Sequence, residues 1–261
     1  MALSEESKLA ILRCMDTSGL AHWRELIAYR DVLVFTFALV VVLPLLGYLR
    51  FRRFVAAGER VLSTTKKLAL YARIAATQWL LVLAMFLIAR RHGLSAADLG
   101  ERLNDPIGTA MATGVLLLFL AAAAMLVLRR IRRSPLEKLA GAMGRVGMVT
   151  PASWRELAAF SVVCVTAGVC EELLFRGWLV NLLWAVTGSW WSAVAIGAAL
   201  FGIGHAYQGP RGVLRTGFVG LQLGLLYVFI GNLIPGQVIH AGVDLLAGVA
   251  GVAIASRQKN A

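Results

Sequence analysis

The chain has 261 residues, of which 59% are hydrophobic and only 15% are charged. Soluble domains average about 45–50% apolar and about 25% charged residues, so this composition predicts an integral membrane protein and excludes an ordinary soluble one. The net charge of +12 does not indicate nucleic acid, because Lys and Arg cluster at the ends of apolar segments, as orientation in a lipid bilayer requires. We therefore expect the lipid bilayer, and no nucleic acid, as a partner.

Residues 1–30 mix apolar and charged side chains, which predicts a helix lying at the membrane interface without spanning it. Apolar segments of about the length that a bilayer requires, roughly 20 residues, follow. They cover residues 32–49, 70–89, 109–128, 156 to about 178 or beyond, 190–206, 213–231 and 233–256. The predicted fold is an all-α integral membrane bundle of about seven, six to eight, transmembrane helices. The fourth helix is long enough to be tilted or broken near Gly177.

A capping-box pattern, Ser-Trp-Arg-Glu at residues 153–156, marks the start of the fourth segment. We divide the chain at this point within one structural domain. Residues 1–150 are expected to hold the interfacial helix and three transmembrane helices, and residues 151–261 the catalytic helical core. The connections after the first, third, fifth and seventh segments carry most of the Lys and Arg residues, which predicts an N-terminus outside the cytoplasm.

Two acidic residues, Glu171 and Glu172, lie side by side in the fourth apolar segment. A carboxylate at the centre of a bilayer costs at least a few kcal/mol, so such an acid indicates a function. Helix positions four apart share a face, so Arg176 can neutralise Glu172 while Glu171 points about 100° away. Glu171 is then free to face a cavity and accept a proton from water. A buried Glu172–Arg176 pair that only locks two helices together is an equally good reading of those two residues.

Two later apolar segments carry one histidine each. His205 ends the run Phe-Gly-Ile-Gly-His at residues 201–205, whose glycines allow another helix to approach closely. His240 and Asp244 share a face of the last segment. Each feature alone has a structural explanation, as an interface histidine or as a polar clamp between helices. Together with the acids, they predict an active site between the C-terminal helices.

The pattern Glu-Glu-x-x-x-Arg, then Phe-x-x-x-His, then His-x-x-x-Asp/Asn resembles the CAAX protease and bacteriocin-processing (CPBP, or Abi) family of intramembrane proteases. The motifs occupy residues 171–176, 201–205 and 240–244 in the family's order, and the resemblance covers roughly residues 153–256. It implies a glutamic-type peptidase that uses no metal or other cofactor. It also implies a multi-pass protein of a cell membrane, which we expect to be a bacterial inner membrane.

The resemblance assigns a role to each residue of the first two motifs. Glu171 and His205 would polarise the attacking water, while Glu172 and Arg176 would support the base. The implied reaction is hydrolysis of a peptide bond near the membrane-embedded or lipid-modified C-terminal tail of a membrane-anchored protein or peptide. No residue of the chain reads the sequence of that substrate.

The resemblance further implies that His240 and the last motif residue stabilise the oxyanion, which requires hydrogen-bond donors. Asp244 stands where the prenyl-protein endopeptidases of the family carry asparagine, and an ionised aspartate cannot donate. Either Asp244 is protonated, or it orients His240 as an imidazolium that donates alone. We favour the second interpretation, and the substitution argues against a prenylated CAAX substrate.

Two alternative functions stay open at this point. Glu171, His205 and His240 form a donor set suited to a zinc-dependent membrane protease, although the sequence lacks His-Glu-x-x-His. The chain would otherwise be a membrane scaffold or immunity protein without catalysis. A transporter is less favoured, because no inverted repeat is visible.

Overall fold

The computed structural model describes residues 17–56, 62–101, 105–135, 138–139 and 144–260, and every regular element among them is helical. The helices in chain order are α1 (Thr17–Leu26), α2 (Arg30–Ala56), α3 (Thr64–Arg91), α4 (Pro106–Arg133), α5 (Trp154–Thr187), α6 (Trp190–Gly204), α7 (Pro210–Ile230) and α8 (Ile234–Lys259). Short 3-10 turns cover Gly144–Met148 and Ala206–Gln208. The predicted all-α membrane fold is confirmed.

The number of membrane spans depends on how α6 is counted. In the described part of the chain, α2, α3, α4, α5, α7 and α8 are long and apolar enough to cross a membrane. Helix α6 is apolar but has only 15 residues. It therefore rises about 22 Å, which is less than the roughly 30 Å of bilayer hydrocarbon. The predicted fifth span, residues 190–206, thus ends early, at Gly204.

Helix α5, which carries both acids, begins at the predicted cap. The Ser153 hydroxyl accepts a hydrogen bond from the backbone N–H of Glu156 at 3.3 Å. The Glu156 carboxylate does not return this bond to Ser153; it accepts from the backbone N–H of Ala152 at 2.8 Å and from Lys67 Nζ at 3.0 Å. Only the Ser153 side of the predicted capping box is therefore formed. The Glu156 side chain instead connects α5 to α3 through Lys67.

Helix α5 is not broken near Gly177, contrary to one of the two expectations for this long segment. It runs without interruption for 34 residues, and its stretch Leu173–Val180 is wound as a π-helix. A Cβ atom at Gly177 would collide with the backbone carbonyl of Leu99. The glycine therefore allows the connection between α3 and α4 to lie directly against the widened part of α5.

The core of the bundle surrounds α5. The indole of Trp178 is fully buried, contacts the rings of Trp23 and Phe35 edge-on, and donates from Nε1 to the Thr36 hydroxyl at 3.0 Å. Leu26 is also buried, so the described part of the predicted interfacial helix packs its apolar side on α5. Residues 1–16 of that prediction lie outside the described residues. The division of the chain at residue 150 and the orientation in the membrane stay predictions.

Glycines permit the two closest helix contacts near the site. A Cβ atom at Gly168 of α5 would lie 2.6 Å from the carbonyl oxygen of Gln237 and 2.8 Å from Ala241 Cβ, both on α8. A Cβ atom at Gly202 of α6 would lie 3.1 Å from Gly217 Cα on α7. The close approach predicted for the run 201–205 is therefore confirmed at Gly202, and at Gly168 the backbone of α5 lies directly against α8.

Candidate active site

The carboxylate of Glu172 is the most buried acid of the site, with a side chain only 1% exposed. Its Oε1 atom accepts a hydrogen bond from Arg176 Nη1 at 2.8 Å. Arg176 Nη2 donates to the carbonyl of Gly220 on α7 at 3.0 Å, and the guanidinium lies 4.6 Å from the ring centroid of Phe201 on α6. The predicted Glu172–Arg176 pair is thus formed, and it joins three helices.

The imidazole of His240 is held by Glu172. Its Nδ1 atom lies 2.8 Å from Glu172 Oε1, and because a carboxylate only accepts, Nδ1–H is the donor. The other nitrogen, Nε2, lies 3.8 Å from Glu171 Oε2 and 3.9 Å from Asp244 Oδ2, beyond hydrogen-bond range. Glu172, and not Asp244, therefore supplies the hydrogen bond that fixes the His240 ring, and the role of Asp244 stays a prediction.

The two oxygens of Glu171 have different surroundings. Oε1 accepts a hydrogen bond from Gln78 Nε2 at 2.6 Å. Oε2 is buried, has no hydrogen-bond partner among the described residues, and faces the Nε2 atoms of His205 at 4.0 Å and His240 at 3.8 Å. Polar groups separated by more than 3.5 Å are commonly bridged by a water molecule. The geometry therefore suits one water among a carboxylate and two imidazoles.

His205 follows the last residue of α6, and its ring is fixed by a backbone contact. Nδ1 lies 2.8 Å from the carbonyl of Phe201, which can only accept, so this nitrogen carries a proton. In the neutral ring, the lone pair is then on Nε2, the atom that faces Glu171. The histidine can therefore accept a proton from a water in front of the acid.

An apolar cavity of about 350 Å³ opens beside Glu171. Its polar lining residues are Glu171, His205, Gln78 and Tyr207, while α2 contributes apolar side chains such as that of Phe51. His240 and Asp244 are not among the residues that line this cavity, although His240 Nε2 lies 3.8 Å from Glu171 Oε2. The arrangement places the Glu171 carboxylate at the wall of a space suited to an apolar segment of chain.

Metal binding was the alternative predicted for Glu171, His205 and His240. Within the described ranges, no group of three or more His, Cys, Asp or Glu side chains is arranged to hold a metal ion. One nitrogen of each imidazole is already engaged, Nδ1 of His240 by Glu172 and Nδ1 of His205 by a carbonyl. Metal-bound histidines commonly donate their other ring N–H in this way, so these hydrogen bonds do not decide between the two mechanisms, and an experiment has to.

Gln78 was not predicted as a site residue. It lies halfway along α3, in an apolar segment, and its amide reaches Glu171 halfway along α5. The signal was present in the sequence, because a polar side chain in the middle of a membrane span indicates a function in the same way as a charged one. An uncharged amide is a weaker signal of this kind than a carboxylate, because it costs less to bury.

The fold and these side chains define a multi-pass helical membrane protein with a buried carboxylate–imidazole centre. Residues 153–246 match the model of a protein family described as Type II CAAX prenyl endopeptidase Rce1-like. The match contains all three motifs and confirms the predicted resemblance to the CPBP family. It supports peptidase activity of the CAAX-protease type on membrane-associated proteins. Comparison with curated proteins and with solved structures finds no match.

Proposed function

We propose that the chain is a glutamic-type intramembrane endopeptidase that cleaves near the membrane-embedded or lipid-modified C-terminal tail of a membrane-associated protein. One observation carries this proposal. The unpaired oxygen of Glu171 faces two imidazole nitrogens at 3.8 and 4.0 Å, beside an apolar cavity. Carboxylates and imidazoles are the usual general bases of enzymes, and the cavity accommodates an apolar peptide.

In the first step, a water bound between Glu171 Oε2 and His205 Nε2 attacks the carbonyl carbon of the substrate. Its proton passes to the Glu171 carboxylate as the new carbon–oxygen bond forms. The carbonyl becomes a tetrahedral oxyanion. In the second step, the carbon–nitrogen bond breaks, and the proton held by Glu171 passes to the leaving amine. Both steps balance without a metal or another cofactor.

The oxyanion needs donors aimed at its developing charge. His240 supplies such a donor when it is an imidazolium, because Nδ1–H is taken by Glu172 and Nε2–H then faces the site. The nearby carboxylates of Glu171, Glu172 and Asp244 favour this charged form electrostatically. Asp244 thus contributes charge in our proposal without contacting the imidazole directly.

The decisive comparison is between the wild-type protein and Glu171→Gln, which keeps the shape of the side chain and removes the base. Membrane proteomes of cells carrying either form would be searched for C-terminal tails that stay uncleaved only with the variant. A control, Glu25→Gln, changes an exposed acid of α1. If Glu171→Gln retains the full cellular phenotype, the protein is a scaffold and the proposal fails.

Metal dependence is tested separately on the purified protein in liposomes. We expect cleavage of an identified tail to survive exhaustive chelation, because no step of the proposed reaction uses a metal. Loss of activity on chelation and its return with zinc would instead support the zinc-dependent alternative.

A further inference from the structure

Only one of the two possible orientations of the Gln78 amide is compatible with its contact to Glu171. Its nitrogen lies 2.6 Å from Glu171 Oε1, and an ionised carboxylate offers only acceptors. The donor facing Glu171 must therefore be the NH2 group. The amide oxygen, which shares a carbon with that nitrogen, consequently lies beside the carboxylate as well.

The hydrogen bond from Gln78 gives the two Glu171 oxygens different functions: Oε1 is held in place, and Oε2 is left to face the histidines. The terminal torsion of a glutamate is broad, so an unrestrained carboxylate samples many orientations. With Oε1 held, Oε2 is kept towards His205 and His240. Catalytic groups lose efficiency steeply when they are misplaced by even about 1 Å, so this restraint bears on the rate of the chemical step.

The amide oxygen of Gln78 is itself unsatisfied. It is buried and has no hydrogen-bond partner among the described residues, although Gln78 lines the cavity. Buried polar atoms are nearly always paired, so this oxygen calls for a donor in the working complex. A peptide bound in the cavity carries backbone N–H groups, and the remainder of the cavity wall nearby is largely apolar.

We infer that Gln78 is a positioning residue that holds Glu171 through its amide N–H and accepts a backbone N–H of the substrate peptide with its amide oxygen. This inference rests on the proposed function, since it requires Glu171 to be the base and a peptide to be the ligand. The part of the substrate that Gln78 recognises is thus the peptide backbone, so the site can hold a substrate without contacting particular side chains.

The first experiment measures kcat and KM with quenched fluorescent decapeptides of apolar sequence, using the full-length protein in liposomes. Gln78→Glu keeps the size of the side chain but places a second carboxyl group beside Glu171, and Gln78→Met removes both polar atoms. We expect both variants to lower kcat about 10- to 100-fold. Thr77→Val is the matched control, because the Thr77 hydroxyl is exposed and bonds only within α3, to the Arg73 carbonyl.

The second experiment replaces, one at a time, the amide bonds flanking the cleaved bond by esters, which removes single N–H donors. At one position, the wild-type kcat/KM should fall about three- to tenfold, as expected for loss of one hydrogen bond. In Gln78→Met, the same replacement should lower kcat/KM by less than about twofold, because the amide oxygen that would accept the hydrogen bond is already absent. A structural role for Gln78 would not produce this coupling.

The outcomes separate the inference from the proposed function. If the wild type and Glu171→Gln both leave the decapeptides intact, the proposed function fails, and the inference fails with it. If the wild type cleaves and Glu171→Gln does not, unchanged kcat in both Gln78 variants overturns the positioning role. Equal ester effects in the wild type and Gln78→Met overturn the contact with the substrate backbone.

Discussion

The imidazole of His240 is hydrogen-bonded to Glu172 on another helix, at 2.8 Å, and not to Asp244 one turn away on its own helix. The Glu172 carboxylate therefore receives both a guanidinium and an imidazole N–H on the same oxygen, Oε1. Glu172 thus links Arg176 on its own helix to His240 on α8. In the proposed mechanism, the two acids therefore have different roles: Glu171 is the base, and Glu172 holds the oxyanion donor in place.

Glu172→Gln should damage catalysis more than Asp244→Asn. The first change removes the charge that fixes and stabilises the His240 imidazolium, and we expect kcat to fall about 100-fold or more, as for loss of an oxyanion donor. Asp244 makes no hydrogen bond to the imidazole, so Asp244→Asn should stay within about fivefold of the wild type. Cleavage rates in liposomes test the order, and the opposite order would contradict the assignment.

The contact between α5 and α8 at Gly168 should be sensitive to a single methyl group. A Cβ atom there meets the Gln237 carbonyl and the Ala241 side chain, so Gly168→Ala should push apart the helices that carry Glu172 and His240. We expect a loss of about 1–3 kcal/mol in the free energy of unfolding, together with reduced activity.

The matched control for this contact is Gly114→Ala in α4, where a Cβ atom would have nothing within 4 Å. This variant should keep both its activity and its unfolding temperature in detergent. Equal behaviour of the two alanine variants would show that the α5–α8 contact tolerates separation.

Removing Arg176 should destabilise the fold because Glu172, a buried carboxylate, would lose its guanidinium partner and keep only the hydrogen bond from His240. We expect Arg176→Met to lower the free energy of unfolding by about 3–5 kcal/mol. Arg211→Met changes an exposed arginine of α7 and should stay within about 0.5 kcal/mol. The double variant Arg176→Met, Glu172→Leu should regain stability without regaining activity. Reversible unfolding in detergent measures the first effect, and a cleavage assay the second.

Tyr207 should not contribute to the pH dependence of activity near neutrality. Burial raises the pKa of its phenol to about 12, because the ionised form would lose its contact with water. The stability contributed by the neutral phenol is complete below the unfolded value of about 10 and is lost only as pH rises through about 12. The rate profiles of the wild type and Tyr207→Phe should therefore have the same limbs between about pH 5 and 9. A displaced limb in the variant would refute this.

The candidate site was predictable because charges in apolar sequence are costly and hence conspicuous. Glu171, His205 and His240 stand out on that ground, and the structure brings the Nε2 atom of each histidine within about 4 Å of Glu171 Oε2. The choice of partner for His240 was not predictable. Residues four apart on one helix are the obvious pair from sequence, whereas the rotation of α5 against α8 depends on packing at Gly168.

The presence of the helices was predictable from the sequence, but the residues at which they end were predicted less well. Apolar length finds a membrane segment, but it does not show where the backbone leaves the helix. The predicted fifth span therefore included Ala206, although α6 ends at Gly204 and a 3-10 turn follows. The π-helical stretch Leu173–Val180 also has no signature in hydropathy, because it changes the winding without changing the composition.

The shortness of α6 has a consequence for the surrounding lipid. Its first residues, Trp190 and Trp191, are of the type that anchors helices at the headgroup level, so we expect its other end, next to His205, to stop inside the hydrocarbon layer. The polar turn that follows is shielded from acyl chains only where the leaflet thins or hydrates locally. Proteolysis should therefore decline in liposomes made from progressively longer phosphatidylcholines, which would make bilayer thickness itself a regulator of the enzyme.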